Sequence, residues 1–390
     1  MYQHNISFFL ATLLTTSLLF PHSLAVADVR HQQQIKAEIP TPATSMTPKA
    51  ALERLFTSEQ IQTEWFAPEF LAQVPIEQVR KIITDVKTQL GSYQTIQKSD
   101  RDYLVVFTQG SVPARIVLNP KGQISGLLFQ SLQAKVASLE EAITQFKALP
   151  GKVSVLVREG KATKAELNPQ VPLAVGSAFK LAVLKALKSE IASKKRSWKD
   201  VVQLRSQNKS LPSGMLQTWA DGSYLTVQTL AALMISISDN TATDTLINLI
   251  GRQKIESISP RNRPFLTTRE LFVLKGKENR DLLKRYQTSN EAQRRAILKE
   301  LTKKPLPNVS DFEGVNPVAL DVEWFFTASE LCGLMEEVAD LQVMSINPGV
   351  ANPSYWQKVA FKGGSEPGVI NLTTWLQAKN GKKYCVADKD

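Results

Sequence analysis

The stretch LTVQTLAALMISISDNTATDTLINLIG, residues 225–251, decides how this chain folds. Two apolar runs, Leu230 to Ile237 and Leu246 to Ile250, flank a dense cluster of hydrogen-bonding side chains: Ser238, Asp239, Asn240, Thr241 and Thr243. No Gly or Pro marks the change, so the polar side chains themselves must end one helix and start the next. Two readings are open. In one, the cluster is a capped break between core helices, because Ser, Asp and Asn accept hydrogen bonds from the free N–H groups of a helix start. In the other, it is a catalytic loop whose hydroxyl and amide face a pocket.

Working outward, the histidines narrow the chemistry. All three (His4, His22 and His31) fall in the first 31 residues. The folded part of the chain therefore has no imidazole, which excludes a Ser-His-Asp triad, a Cys-His dyad and any His-ligated zinc. Cys332 and Cys385 cannot build a metal site alone. They could pair in an oxidising compartment, but each sits in an apolar stretch, and the expectation is two buried, unpaired thiols. No cofactor or metal is expected.

A serine hydrolase without histidine needs another base, and lysine is the usual substitute. GSAFK, residues 176–180, places Ser177 at the start of an apolar helix, Ala178–Leu187, with Lys180 three residues on. Residues three apart share a helix face, and helical side chains lean toward the N-terminus, so the Lys180 amine reaches the Ser177 hydroxyl. Burial and a second nearby cation lower a lysine pKa and leave a neutral amine able to accept a proton. The pattern alone is weak: SQNK at 206–209 also matches, in an unpromising polar segment. Order and context strengthen it, because SAFK, SDN (238–240) and KGG (362–364) occur in sequence. The first falls at a helix start, the second between helices and the third at a strand end.

That trio is the Ser-Lys signature of class A β-lactamases and penicillin-binding proteins. Over residues 138–387 the chain resembles this serine hydrolase superfamily, most closely through residues 225–251. The resemblance implies that Ser177 is the nucleophile and Lys180 its base. It implies that Ser238 passes a proton to the leaving nitrogen, that Asn240 holds the substrate amide, and that Asp239 turns inward to fix the loop. Lys362 would bind a substrate carboxylate. Gly363 and Gly364 would let the strand pass close to substrate, with the Ser177 and Ser365 N–H groups forming an oxyanion hole.

Three departures are visible. The deacylating glutamate of class A enzymes falls opposite Thr268 in RPFLTTRELF (263–272), leaving Glu270, two residues on, as a possible deacylation base. Efficient deacylation is therefore doubtful. KGG replaces Lys-Thr-Gly, removing a hydroxyl that would hold a substrate carboxylate. The resemblance also implies a further strand and a covering helix after YCVA, whereas the sequence ends at Asp390. A missing C-terminal helix would expose apolar sheet surface.

The rest of the chain reads as follows. Residues 6–20 form an apolar run too short for the roughly 20 residues of a membrane span, and LAVA at 24–27 has the small-x-small pattern of a cleavage site. This gives a signal peptide, 1–27, and a linker, 28–47. An uncleaved membrane anchor is the competing reading. Residues 48–131 read as a small N-terminal α+β domain: helical patterns at Pro48–Phe56 and Pro75–Leu90, then four strand-like segments. Its Asp85, Asp100 and Asp102 read as surface residues. Residues 138–390 read as the hydrolase domain, opening with a capping box at Ser138 and Glu141. The whole is of α+β class: a helical subdomain plus an antiparallel sheet flanked by helices.

The segments NRPFLTTRELF and FKGGSEPG, with the extra N-terminal domain, resemble one exported subfamily. It includes the β-lactamase-like protein of clavulanic acid gene clusters, whose N-terminal domain looks like a steroid isomerase and which is associated with cephalosporin ester hydrolysis. A formal charge of +11 comes with a basic run over 275–304, read as a solvated helical face on a surface excursion, with a lid over the cleft as the alternative. Nucleic acid fits poorly, since aromatics do not interleave with the basic run. The expected protein is an exported, periplasmic or extracellular monomer acting on a β-lactam, ester or peptidoglycan-like small molecule. A D,D-peptidase, a cephalosporin-type esterase and a non-turnover β-lactam or peptidoglycan binding module are the alternatives.

Overall fold

A computed structural model describes residues 46–389 except residues 100–101, 131, 136–137, 313 and 315. The leader, most of the linker, all three histidines and Asp100 lie outside the described residues. The chain divides after Leu132 into two compact units.

The first unit begins with α1 (Pro48–Thr57), where the Thr47 hydroxyl accepts from the Ala50 N–H and Pro48 takes a first-turn position that needs no donor. A short helix, α2 (Pro68–Leu71), precedes α3 (Ile76–Leu90). Helix α3 buries Val79, Ile83, Val86 and Leu90, the stripe that a 3.6-residue period places on one face. Strands β1 (Tyr93–Ser99), β2 (Asp102–Phe107), β3 (Gly110–Leu118) and β4 (Ile124–Phe129) follow as an antiparallel meander. The α1 and α3 stripes share a core with Val105, Phe107, Val112 and Ala114 of that sheet. Asp85 pairs with Lys81 and Asp102 with Arg115 at the surface, so neither carboxylate lies in an apolar pocket.

In the second unit, β5 (Ser154–Glu159), β6 (Ala162–Leu167), β7 (Lys358–Glu366), β8 (Val369–Gln377) and β9 (Lys383–Lys389) form one antiparallel sheet in the order β7-β8-β9-β5-β6. Helix α4 (Leu139–Lys147), capped by Ser138, packs Ile143 and Phe146 on the outer face of β5 and β6. After α4, five further helices precede α10 (Arg280–Thr288): α5 (Lys180–Ala192), α6 (Val227–Ser236), α7 (Asn240–Ile250), α8 (Arg252–Ile258) and α9 (Thr268–Lys275). Helix α5 is the centre of this group, buried on nearly every side as its apolar sequence requires.

The basic run forms α10 (Arg280–Thr288) and α11 (Glu291–Leu301). Leu282, Tyr286, Ile297, Leu298 and Leu301 join the main core. The charges lie on the other faces, in pairs such as Arg285–Glu300 and Arg295–Glu291. This stretch is an amphipathic packing element and not a loose excursion.

Helix α12 (Ala328–Val338) crosses the inner face of the sheet, and this corrects the reading of the cysteines. Cys332 of α12 and Cys385 of β9 are joined in a disulfide, with Cα atoms 5.9 Å apart. Their apolar surroundings argue equally for two thiols or one bridge. Only the packing of α12 on β9 brings them together. The bridge closes a 53-residue separation, for which chain-entropy reasoning gives about 4 kcal/mol. The Cys332→Ala/Cys385→Ala double variant is expected to lose about 2–4 kcal/mol in urea unfolding; an unchanged midpoint would contradict this.

The outer face of β7–β9 is partly covered. Gly349 lies against the Phe361 ring and Trp356 meets Tyr384 edge-on, so the segment over 346–357 lies on strand surface. Val359, Thr374 and Leu376 are buried. No described helix is long and apolar enough to cross a membrane.

Candidate active site

The polar cluster between the two apolar runs does both things its sequence allows. Helix α6 ends at Ser236, and Asp239 caps α7 by accepting from the Ala242 N–H at 2.8 Å. The other Asp239 oxygen accepts from the N–H groups of Met215 and Leu216, at 2.7 and 2.9 Å. With its carboxylate fully buried and its neighbour Ser238 at φ +58, the loop is held in a conformation that non-glycine residues rarely adopt. That geometry aims Ser238 and Asn240 at Lys180.

Gly176–Phe179 is a single 3₁₀ turn that runs into α5, so Ser177 and Lys180 sit at a helix start. The Lys180 amine is fully buried. It lies 3.0 Å from Ser177 Oγ, 2.9 Å from Ser238 Oγ, 2.6 Å from the Ser238 carbonyl oxygen and 2.7 Å from Asn240 Oδ1. Asn240 is oriented by its own amide, which donates to the Leu211 carbonyl at 3.1 Å. Burial and then the neighbouring Lys362 ammonium hold the Lys180 pKa well below the ordinary lysine range.

Lys362 reaches in from strand β7. Its amine lies 3.1 Å from Ser238 Oγ and 2.5 Å from the Gly363 carbonyl oxygen, and burial lowers its pKa to about 7. The next residues bring strand and turn into backbone contact. A Cβ on Gly364 would strike the Val175 carbonyl oxygen and stand 2.5 Å from the Ser177 nitrogen; one on Gly176 would stand 3.1 Å from the Ser365 nitrogen. Only glycine at 364 permits this approach. Ser177, Ser238, Asn240, Lys362, Gly363 and Ser365 line one cleft of about 640 Å³, together with Gly364.

Glu270 is not brought to the cluster. It occupies the third position of α9, where it closes a capping box with Thr267 and pairs with Arg252 at 2.6 Å. The possible deacylation base is thereby corrected: these bonds satisfy both carboxylate oxygens outside the cleft. Thr268 does line the cleft, with its hydroxyl 2.9 Å from Asp244 Oδ1 and 2.8 Å from Ser210 Oγ. Asp244, buried in α7, also accepts from the N–H groups of Thr268 and Arg269, tethering the start of α9. Burial raises its pKa to about 7. Sequence reasoning did not single out Asp244; its place one helical turn after Asn240 was the available signal.

The sequence matches the family model described as the beta-lactamase enzyme family over residues 134–345, more than half of the chain. The chain belongs to the beta-lactamase enzyme family. Among solved structures it is similar to a β-lactamase from Sphaerobacter thermophilus, at 21% identity and TM-score 0.44 over 65% of this chain and 88% of that one. It is similar to PBP-A at 16% identity and TM-score 0.43, covering 65% and 87% of the two chains. A β-lactamase from Francisella tularensis matches at 12% identity and TM-score 0.44, over 65% and 88%. Among curated proteins none matches.

Proposed function

We propose that the protein is a serine hydrolase that acts through a Ser177 acyl-enzyme on β-lactams or related amides and esters. The observation that carries this reading is the surroundings of the Lys180 amine. A neutral amine has two N–H groups and one lone pair. The Ser238 carbonyl and Asn240 Oδ1 can only accept and take both N–H groups, so the lone pair is left for the hydroxyls of Ser177 and Ser238. Lys180 then removes the Ser177 proton as Oγ attacks the substrate carbonyl. The N–H groups of Ser177 and Ser365 receive the developing oxyanion. The proton passes from Lys180 through Ser238 Oγ to the leaving atom as its bond to carbon breaks, and Lys180 returns to the neutral state. Lys362 holds a substrate carboxylate.

Water must then cleave the ester at Ser177, and no carboxylate occupies position 268 to activate it. Purified protein incubated with a penicillin and a cephalosporin is expected to give a covalent adduct in mass spectrometry that persists through many minutes. The adduct should be absent in Ser177→Ala. Fast decay with steady turnover would overturn slow deacylation, and no adduct on folded protein would overturn acylation by β-lactams. A non-turnover binding module is the second reading, favoured by the engagement of Glu270 elsewhere. The proposal includes export, on the resemblance of residues 1–27 to a leader. It also gives residues 48–131 a packing-support role in the subfamily noted above.

A further inference from the structure

The cleft contains a second charged cluster. Lys275, the last residue of α9, pairs with Glu323 and, at 3.3 Å, with Glu366, the last residue of β7. The side chains of Lys275 and Glu323 are 2% and 1% exposed, that of Glu366 is 24% exposed, and all three line the cleft. One oxygen of each carboxylate, Glu323 Oε2 and Glu366 Oε1, is buried without a donor, and the two carboxyls are close enough that a proton on Glu323 bonds it to Glu366.

Charge counting shows what is missing. Two carboxylates face one ammonium, leaving one negative charge unmatched. With Glu323 almost fully buried and Glu366 only partly solvated, the cluster is favoured by taking up either a proton or another cation. Without a ligand the proton is the available choice: burial, with Glu366 adjacent, raises the Glu323 pKa well above the carboxylate range. A cation from the substrate would complete two carboxylates and two ammoniums. The rings of Phe272 and Phe312, 5.1 Å apart, line the same cleft and suit an aryl group or a cation over a ring face.

We propose that Glu323 and Glu366 form a subsite for a protonated amino group on the acyl portion of the substrate. The inference rests on the reading of Ser177 as the acylated residue. The preferred substrate is then zwitterionic, with its carboxylate at Lys362 and its ammonium at the glutamate pair. Charge-assisted hydrogen bonds to a buried pair discriminate by roughly 1.5–3 kcal/mol, about tenfold or more in affinity.

Ampicillin and benzylpenicillin differ by one amino group, which isolates that contact. Their affinities for Ser177→Ala protein would be measured by calorimetry in slightly acidic buffer, where the amine is protonated, and acylation of the unmodified protein followed in parallel. Ampicillin is expected to bind about tenfold more tightly, and the ratio to fall to about one in Ser177→Ala proteins that also carry Glu323→Gln or Glu366→Gln. The second variant serves if the first does not fold. Equal affinity, or weaker binding of ampicillin, overturns the subsite while acylation of Ser177 still stands. A charge preference in binding without any acylation supports the subsite and overturns the serine mechanism. Binding of neither penicillin overturns the subsite as stated.

Discussion

Replacing Lys180 with methionine is expected to slow acylation of Ser177 by about 10²–10⁴-fold, the usual contribution of a positioned general base. Methionine fills similar volume in the same buried position, so the loss reports proton transfer more than collapse of the fold. The pH profile provides the sharper test. Lys180 acts as a base only when neutral, so acylation should rise with pH as it loses its proton, well below the ordinary lysine range. Lys362 binds a carboxylate only as the ammonium, and burial brings its pKa to about 7. The second-order acylation rate should therefore fall again above about 7. In the acylation rate at saturating substrate the alkaline limb should move upward, because a bound carboxylate favours the protonated amine. Stopped-flow acylation across pH checks this. A rate that climbs steadily into the ordinary lysine range would show that burial does not leave the Lys180 amine neutral at lower pH.

Gly364→Ala is expected to cost about 10²–10³-fold in acylation through the oxyanion hole alone. The added methyl would stand 2.5 Å from the Ser177 nitrogen and 2.8 Å from the Ala178 nitrogen, both backbone atoms that cannot swing aside. Strand β7 and the turn before α5 must separate, and the N–H groups of Ser177 and Ser365 no longer converge on one point. Overpacking of this kind also destabilises by roughly 1–3 kcal/mol. Gly333→Ala is the control, since a methyl there meets nothing within 4 Å and the residue lies within helix α12. Rate and melting temperature measured on both variants separate the effects. Wild-type acylation in Gly364→Ala would remove the oxyanion hole from the mechanism.

Much of this site could be read along the chain because its chemistry is local. Ser177 and Lys180 are three residues apart at a helix start, and Ser238, Asp239 and Asn240 are consecutive. The order of the three motifs carried the family resemblance. Glu270 shows where proximity misleads: two residues from position 268 looked near enough to reach the cleft. Yet the third position of a helix faces back to the N-cap, and Thr267 with Arg252 claimed the carboxylate. The cysteines failed for another reason, since an apolar environment suits a thiol and a disulfide alike.

By itself, the sequence determined the α+β character, the sites of its helix starts and the types of side chain available for acyl transfer. These follow from periodicity, capping and the absence of histidine after residue 31, all short-range properties. The tertiary structure alone decided what meets across the chain: Lys362 with Ser238, Cys332 with Cys385, Thr268 with Asp244, and Lys275 with Glu323 and Glu366. Each pairing joins residues 24 or more positions apart. Their meeting depends on how helices and sheet pack, and burial gives the amines and carboxylates pKa values that no exposed peptide would have.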